Sequence, residues 1–299
     1  MTEGPSTTDR SDPGRLTSPG REVERELAEF VRQRPMPANL RQAALYALLG
    51  PGKRLRPVLV IRSCEAVGGT EADAMPAAGA LELVHGFSLV HDDLPAMDDD
   101  DLRRGRPTLH RHTNEAMAIL AGDAMLSLAF ELIATRVEPT LAGQLTRELA
   151  TATGDMIVGQ VYDTMPAWDE ATEPMQRLEL IHRHKTGALL RAACRMGGMC
   201  GRASREQLDA LTRYAEAVGL MFQVVDDLLD VTHTTQELGK TAGKDVDKGK
   251  LTYPGLIGVD ASRREVDRLH GEAQAALEGL GEQAGPLREL ADFMAVREK

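Results

Sequence analysis

The stretch that decides the fold runs from Ala77 to Asp93 and reads AAGALELVHGFSLVHDD. It is apolar nearly all the way round a helical wheel, the pattern of a helix buried centrally in a bundle. It nevertheless ends on acids, and His85, Ser88 and Asp92 recur at spacings of three and four along one helix face. A second stretch, LMFQVVDDLLD from Leu220 to Asp230, repeats this plan with Gln223, Asp226, Asp227 and Asp230. Two buried helices that end in acids imply a cavity between them, dry below and charged at its mouth. Bundle proteins build sites in this way, from facing side chains.

Outward from these stretches the chain is rich in Ala, Leu, Glu, Arg and Met, all good helix formers. Apolar positions recur at three and four rather than two. Segments near 22–33, 39–49, 54–68, 73–93, 114–136, 140–163, 174–199, 205–231, 261–280 and 285–297 read as helices. Breaks fall at Gly50-Pro51-Gly52, Gly68-Gly69, Gly105 to Pro107 and Gly239 to Gly249. No linker separates two compositionally distinct halves. The expectation is an all-α, single-domain helical bundle over residues 21–299 around a deep central cavity, preceded by a disordered tail over 1–20.

Composition limits the partners. A net charge of -11 over 299 residues argues against a nucleic-acid backbone, which calls for a basic surface. Three cysteines (Cys64, Cys194, Cys200) without repeated spacing fit buried thiols in a reducing compartment better than disulfides or a zinc site. The first twenty residues carry Glu3, Asp9 and Asp12 and no apolar core of signal-peptide type. No window is read as approaching the ~20 apolar residues of a membrane span. A cytoplasmic location is expected.

The chemistry lies in the acids. DDLPAMDDDDLRRGRP, Asp92 to Pro107, and DDLLD, Asp226 to Asp230, concentrate like charge that needs neutralising. Mg²⁺ prefers carboxylate oxygens and binds through one or two of them together with substrate phosphates. Arg103, Arg104 and Arg106 follow the first cluster; Lys240, Lys244, Lys248 and Lys250 follow the second. Carboxylate, metal and cation together describe a polyphosphate site. The bland reading, a solvated acidic loop, loses ground because two clusters and two sets of cations recur together.

Within the clusters, Asp226 and Asp230 are four apart on one helix face and can reach one cation. Asp92 and Asp98 are six apart, out of alignment on a regular helix. Pro95 ends or bulges that helix, which lets Asp98 swing back beside Asp92. An EF-hand starting at Asp98 is excluded, since Arg103 stands where Gly is required and Leu109 at the closing acid. Lys53, Arg54 and Arg56 follow Gly50-Pro51-Gly52 and suggest a second phosphate group, although GPGKRLRP lacks P-loop spacing. His85 reads either as a satisfied core histidine or as part of the site. The basic run His182 to Gly187 is either a solvated helix face or one that points Lys185 and Thr186 into the cavity.

These motifs together resemble the short-chain trans-prenyl diphosphate synthases of the polyprenyl synthetase family, most closely the bacterial farnesyl diphosphate synthases. The matching segments are GKRLRP at Gly52, LVHDDLPAMDDDDLRRGRPTLH at Leu89, LAGDAML at Leu120, IHRHKTGALLRAA at Ile181, FQVVDDLLD at Phe222 and LGK…GKDVDKGKLTYP at Leu238. The resemblance implies an isoprenoid-synthase type of helical fold, normally a homodimer, and a Mg²⁺-dependent prenyltransferase. It implies that Asp92 and Asp98 hold two Mg²⁺ ions and Asp226 a third, with Asp93, Asp227 and Asp230 in support. Lys53, Arg56, His85 and Arg104 match positions that bind isopentenyl diphosphate. Arg103, Lys185, Thr186, Gln223 and Lys240 match those around the allylic diphosphate, the last four serving the chemical step, and Lys250 belongs to a closing loop. Residues between Val161 and Met175 carry no assignment.

Product length is expected to follow the residues one turn before the first acidic motif. Ser88 lies directly beneath Asp92, and one turn spans 5.4 Å, comparable to one isoprene unit. A bulky ring at Phe87 resembles the pattern of farnesyl-producing members; the alternative is that Phe87 simply packs the core. The expected reaction condenses isopentenyl diphosphate with dimethylallyl and then geranyl diphosphate to farnesyl diphosphate. The rivals are a geranylgeranyl diphosphate synthase, a terpene cyclase and a non-catalytic partner subunit. A cyclase would leave Lys53, Arg56 and Arg104 without a role, and a non-catalytic subunit should have lost acids or lysines.

Overall fold

The helix formers fold as their pattern predicts. The computed structural model describes residues 18–232 and 250–297. Four helices come first: α1 (Pro19–Gln33), α2 (Ala38–Leu48), α3 (Leu55–Ala66) and α4 (Glu71–Asp92). After a hairpin follow a single turn α5 (Leu109–His112), then α6 (Glu115–Arg136), α7 (Pro139–Thr164) and α8 (Pro174–His182). A π-helical turn, Arg183–Gly187, leads into α9 (Ala188–Cys200) and α10 (Arg205–Thr232). Beyond residue 250 come α11 (Tyr253–Ile257), α12 (Val259–Ala276) and α13 (Gly285–Ala295). The isoprenoid-synthase all-α fold is therefore present. The first helix begins inside the segment read as a tail. The expected break from Gly239 to Gly249, with Lys240, Lys244 and Lys248, lies outside the described residues.

The decisive helix, α4, sits where its pattern puts it. Ala77, Ala78, Ala80, Leu81, Leu83 and Val84 are fully buried, and α4 packs against α3, α6 and α9. It starts at a capping box in which the Thr70 hydroxyl accepts from the Asp73 amide and the Asp73 carboxylate accepts from the Thr70 amide. One expectation needs correcting: α6 is long and apolar enough to cross a membrane by length and composition. Its apolarity has a different use here. Ala118, Ala121, Met125, Ala129 and Ile133 are fully buried along α4, and Asp123 and Glu131 interrupt the run.

Between α4 and α5 the only described strands pair as a short antiparallel hairpin, β1 (Leu102–Arg103) with β2 (Arg106–Pro107). Arg104 and Gly105 both have positive φ (52° and 76°), the type I′ turn that matches strand twist. The hairpin thus turns Arg103 back onto Asp93 and sends Arg104 towards Pro51.

Candidate active site

The first acidic motif closes α4. The helix ends at Asp92, and the Asp98 amide then donates to the Asp92 carbonyl at 2.9 Å. Pro95 breaks the helix, as expected, and the chain curls back to set the two acids side by side. Burial pushes the Asp92 carboxyl up to about 6, with Asp98 and Asp93 adding to the rise and Lys185 and Arg103 opposing it. Asp93 turns the other way. It is buried and accepts from Arg103 Nε at 2.8 Å, with Arg103 Nη2 at 2.6 Å. That pairing anchors Arg103 at the end of α4.

The second motif divides similarly. Asp227 Oδ2 accepts from the Tyr253 amide at 2.9 Å and faces His182 Nε2 at 3.3 Å, so it ties α10 to α11 and α8. Asp226 points to the carboxyl-terminal segment, where Arg297 pairs with its Oδ1 and also donates to the Phe222 carbonyl at 2.9 Å. Asp230 is buried, and its Oδ2 has no partner among the described residues. Among the described residues no three His, Cys, Asp or Glu side chains converge on one point. Paired acids on α4 and α10, one with an orphaned buried oxygen, fit Mg²⁺ that completes its shell with substrate oxygens.

A basic wall stands beside the acids. Arg56 Nη1 lies 3.2 Å from His85 Nε2. Burial, then the guanidiniums of Arg56, Arg104, Arg103 and Arg54, hold His85 well below its ordinary pKa, so the ring is neutral and accepts from Arg56. Lys53 lies over the Phe293 ring at 5.1 Å. Arg104 Nη1 donates to the Pro51 carbonyl at 2.7 Å, docking the hairpin onto the GPGK loop. A Cβ at Gly52 would meet that nitrogen at 2.3 Å, so a side chain there would displace the docked arginine. Arg54 is different from its neighbours. It is buried in a left-handed conformation (φ 49°), paired with Glu24 at 2.5 Å and Glu82 at 3.2 Å, and it donates to Leu48 and Gly50 carbonyls. It builds the loop that presents Lys53 and Arg56.

Lys185 and Thr186 sit on the π-helical turn, a feature that recurs at functional sites. Periodicity alone predicts one continuous helix over 174–199, and the turn is the departure. Gly159 on α7 lets it come close, since a Cβ there would lie 2.2 Å from the Lys185 nitrogen. Both side chains line a cavity of about 470 Å³ that runs beneath Asp92. Arg56 and His85 stand at its basic end, and Phe87, Ser88, Met156 and Leu189 form apolar wall. Lys185 also borders an adjoining hollow of similar size, with Gln223, Asp227 and Lys250. A larger hollow of about 730 Å³ near α1 holds none of the expected site residues. Lys240 lies outside the described residues.

Two participants carry no signal in the sequence reading. Asp163 receives both Lys185 and Lys250, and Arg297 covers Asp226. Asp163 falls in the stretch left without assignment; an acid closing an apolar helix face is the one available hint, because a buried carboxylate needs a cation. The cysteines take no part: all three are buried and free, and burial pushes their thiols up to about 12.

The family profile described as polyprenyl synthetase matches residues 37–281, spanning both acidic motifs and the basic wall. The chain belongs to the polyprenyl synthetase family. Geranylgeranyl pyrophosphate synthase 11, chloroplastic, of Arabidopsis thaliana is 49% identical over 272 residues, 87% of this chain and 75% of that protein. The chloroplastic geranylgeranyl pyrophosphate synthase of Catharanthus roseus is 47% identical over 279 residues, 91% of this chain and 77% of its own. Among solved structures, an FPP/GFPP synthase from Zymomonas mobilis aligns with a TM-score of 0.82 at 32% identity, covering 95% of this chain and all of the other. The geranylgeranyl pyrophosphate synthetase of Pyrococcus horikoshii aligns with a TM-score of 0.86 at 30% identity, over 96% and 98% of the two chains. This polyprenyl synthetase is thus a prenyltransferase of isoprenoid biosynthesis. Its family generally uses Mg²⁺.

Proposed function

We propose that this chain condenses isopentenyl diphosphate with dimethylallyl and then geranyl diphosphate and stops at (2E,6E)-farnesyl diphosphate. The observation that carries this reading is the ring of Phe87 in the wall of the cavity, one turn below Asp92. Geranylgeranyl diphosphate is the second reading, favoured by the names of the curated relatives. The farnesyl reading rests instead on this chain's own cavity wall, which carries the bulky ring.

Asp92, Asp98, Asp226 and Asp230 would hold Mg²⁺, with three ions per site, and Asp93 and Asp227 support them from behind. The metal supplies charge stabilisation to the departing diphosphate. Lys185, Lys240, Lys250 and Arg103 bind and orient the allylic diphosphate, stabilising charge where it develops. Arg56, Arg104, Lys53 and neutral His85 hold isopentenyl diphosphate. The oxygen dipoles of Thr186 and Gln223 face the allylic carbon as it becomes cationic, and the apolar walls exclude the water that would quench it. No nucleophilic side chain is required.

A homodimer is part of this proposal. Ile119 and Leu120 on α6 and Val158 on α7 are large apolar side chains left 42% to 55% exposed, which a second copy would cover. A cytoplasmic location accords with three free, buried thiols. The test is incubation of the purified protein with Mg²⁺, isopentenyl diphosphate and each of the dimethylallyl, geranyl and farnesyl starters, with products identified by mass. Farnesyl diphosphate as the end product is expected. Accumulation of the C20 product overturns the assigned length, and no condensation with any starter overturns the synthase reading.

A further inference from the structure

Gly122 on α6 takes no part in the chemistry described above, yet its missing side chain leaves a recess that the His91 ring of α4 fills. A Cβ at Gly122 would lie 2.1 Å from His91 Nε2 and 2.5 Å from His91 Cδ2. The imidazole occupies that space because its Nε2 sits 3.1 Å from the Ile119 carbonyl, one turn earlier on α6. A carbonyl only accepts, so this nitrogen carries the proton. Asp123 Oδ1 stands further off, at 3.9 Å. The same ring meets Phe87 edge to face, with centroids 4.9 Å apart and planes at 77°. Phe87 and His91 are four apart on α4, and both line the cavity. No described residue of α6 lines it.

We infer that His91, seated against Gly122 and bonded to the Ile119 carbonyl, is the positioning residue that holds the Phe87 ring across the cavity and so sets where chain growth stops. This rests on the reading of Phe87 as the floor. The physical need is clear. A phenylalanine side chain moves between staggered rotamers, and a growing prenyl chain pushing on a free ring would turn it aside. An edge-to-face neighbour restricts that rotation. The neighbour must itself be fixed, and here a hydrogen bond to backbone and a glycine-sized recess fix it. Product length is thereby governed in part from a helix that does not line the cavity.

The test compares Phe87→Ala, Gly122→Ala, His91→Leu and the double variant Gly122→Ala/His91→Leu in the full-length protein. Products from isopentenyl diphosphate and geranyl diphosphate are separated by length, and thermal unfolding confirms the fold. Gly122→Ala keeps the first condensation and raises the ratio of longer to wild-type product by about tenfold or more, as a methylene-sized change in an apolar wall can. His91→Leu does the same, and the double variant goes no further than His91→Leu alone, because both changes act on one ring. Should Gly122→Ala fail to fold, His91→Leu carries the test, since it removes the bond to Ile119 without filling position 122. If Phe87→Ala lengthens product while folded Gly122→Ala and His91→Leu do not, the positioning role is overturned and the floor stands. Additive effects in the double variant also overturn it. If Phe87→Ala leaves product length unchanged, the floor reading fails and the positioning role fails with it.

Discussion

One oxygen of Asp163 serves two lysines: Oδ2 accepts from Lys185 Nζ at 2.7 Å and from Lys250 Nζ at 2.9 Å. Burial opposes charge on this acid, but the two ammoniums outweigh it and hold its pKa below the ordinary carboxylate value. Lys185 comes from the π-helical turn and Lys250 from the segment before α11, so Asp163 joins two elements whose cations are proposed to bind diphosphate. Asp163→Asn keeps the shape and removes the charge that gathers the lysines. Misplacement of positioning groups by about 1 Å costs roughly 10²-fold in rate. Steady-state kinetics should show a loss of that order in kcat/KM for geranyl diphosphate; an unchanged value removes Asp163 from the site.

Asp226→Ala should lower turnover about 10²- to 10³-fold, the usual loss for one electrostatic contact to a developing charge. The melting temperature should fall without loss of the fold, because the change leaves the buried Arg297 guanidinium without this carboxylate while its bond to the Phe222 carbonyl remains. Asp92→Ala and Asp98→Ala should behave alike, and a chelator should abolish turnover of the unaltered protein. Near-normal rates for Asp226→Ala would remove it from the metal-binding set.

The two diphosphate sites should separate in kinetics. Arg104→Ala undocks the hairpin from Pro51 and should mainly raise the KM for isopentenyl diphosphate, as should Lys53→Ala. Lys185→Ala should mainly depress kcat and affinity for the allylic partner. Comparable changes in both KM values for all three variants would contradict the division.

His85 supplies a pH signature. Its folded pKa lies well below the ordinary value, through burial and then the surrounding guanidiniums, so the unfolded chain binds a proton the folded chain refuses. Stability is therefore full above about 6.5 and declines as pH falls below it towards the folded value. Measured without ligands, the drop in melting temperature between pH 7.5 and 5.5 should shrink in His85→Gln. An equal drop in both proteins means the ring protonates freely.

Much of this was open to reading from residues, for reasons that differ by element. The centre of α4 declares itself because an apolar sequence on every face has only one stable place. The acids declare themselves because such density of like charge must be met by something. Which member of each pair turns inward is not readable. Asp92 and Asp93 lie about 100° apart on a helix, and only the positions of Arg103, His182 and Tyr253 decide that Asp93 and Asp227 face protein. Arg54, read as one of three phosphate-binding cations, is a buried strut because Glu24 and Glu82 arrive from two other helices. Asp163 meets Lys250 across 87 positions and Arg297 meets Asp226 across 71, so neither partner leaves a local trace.

The π-helical turn has a consequence for how this segment can vary. One extra residue in a helix rotates everything beyond it by about 100°. Within the turn, the chain must aim Lys185 and Thr186 at the cavity; after it, Ala188–Cys200 must bury Leu189, Leu190, Ala193 and Cys194 while Arg191 reaches Asp155 and Arg195 reaches Glu148. The turn works as a phase adjuster between these two requirements. Removing a single residue from 183–187 would restore an unbroken helix and force a choice: either the lysine swings off the cavity, or two arginines are driven into the core. The segment tolerates substitution far more readily than a change in length.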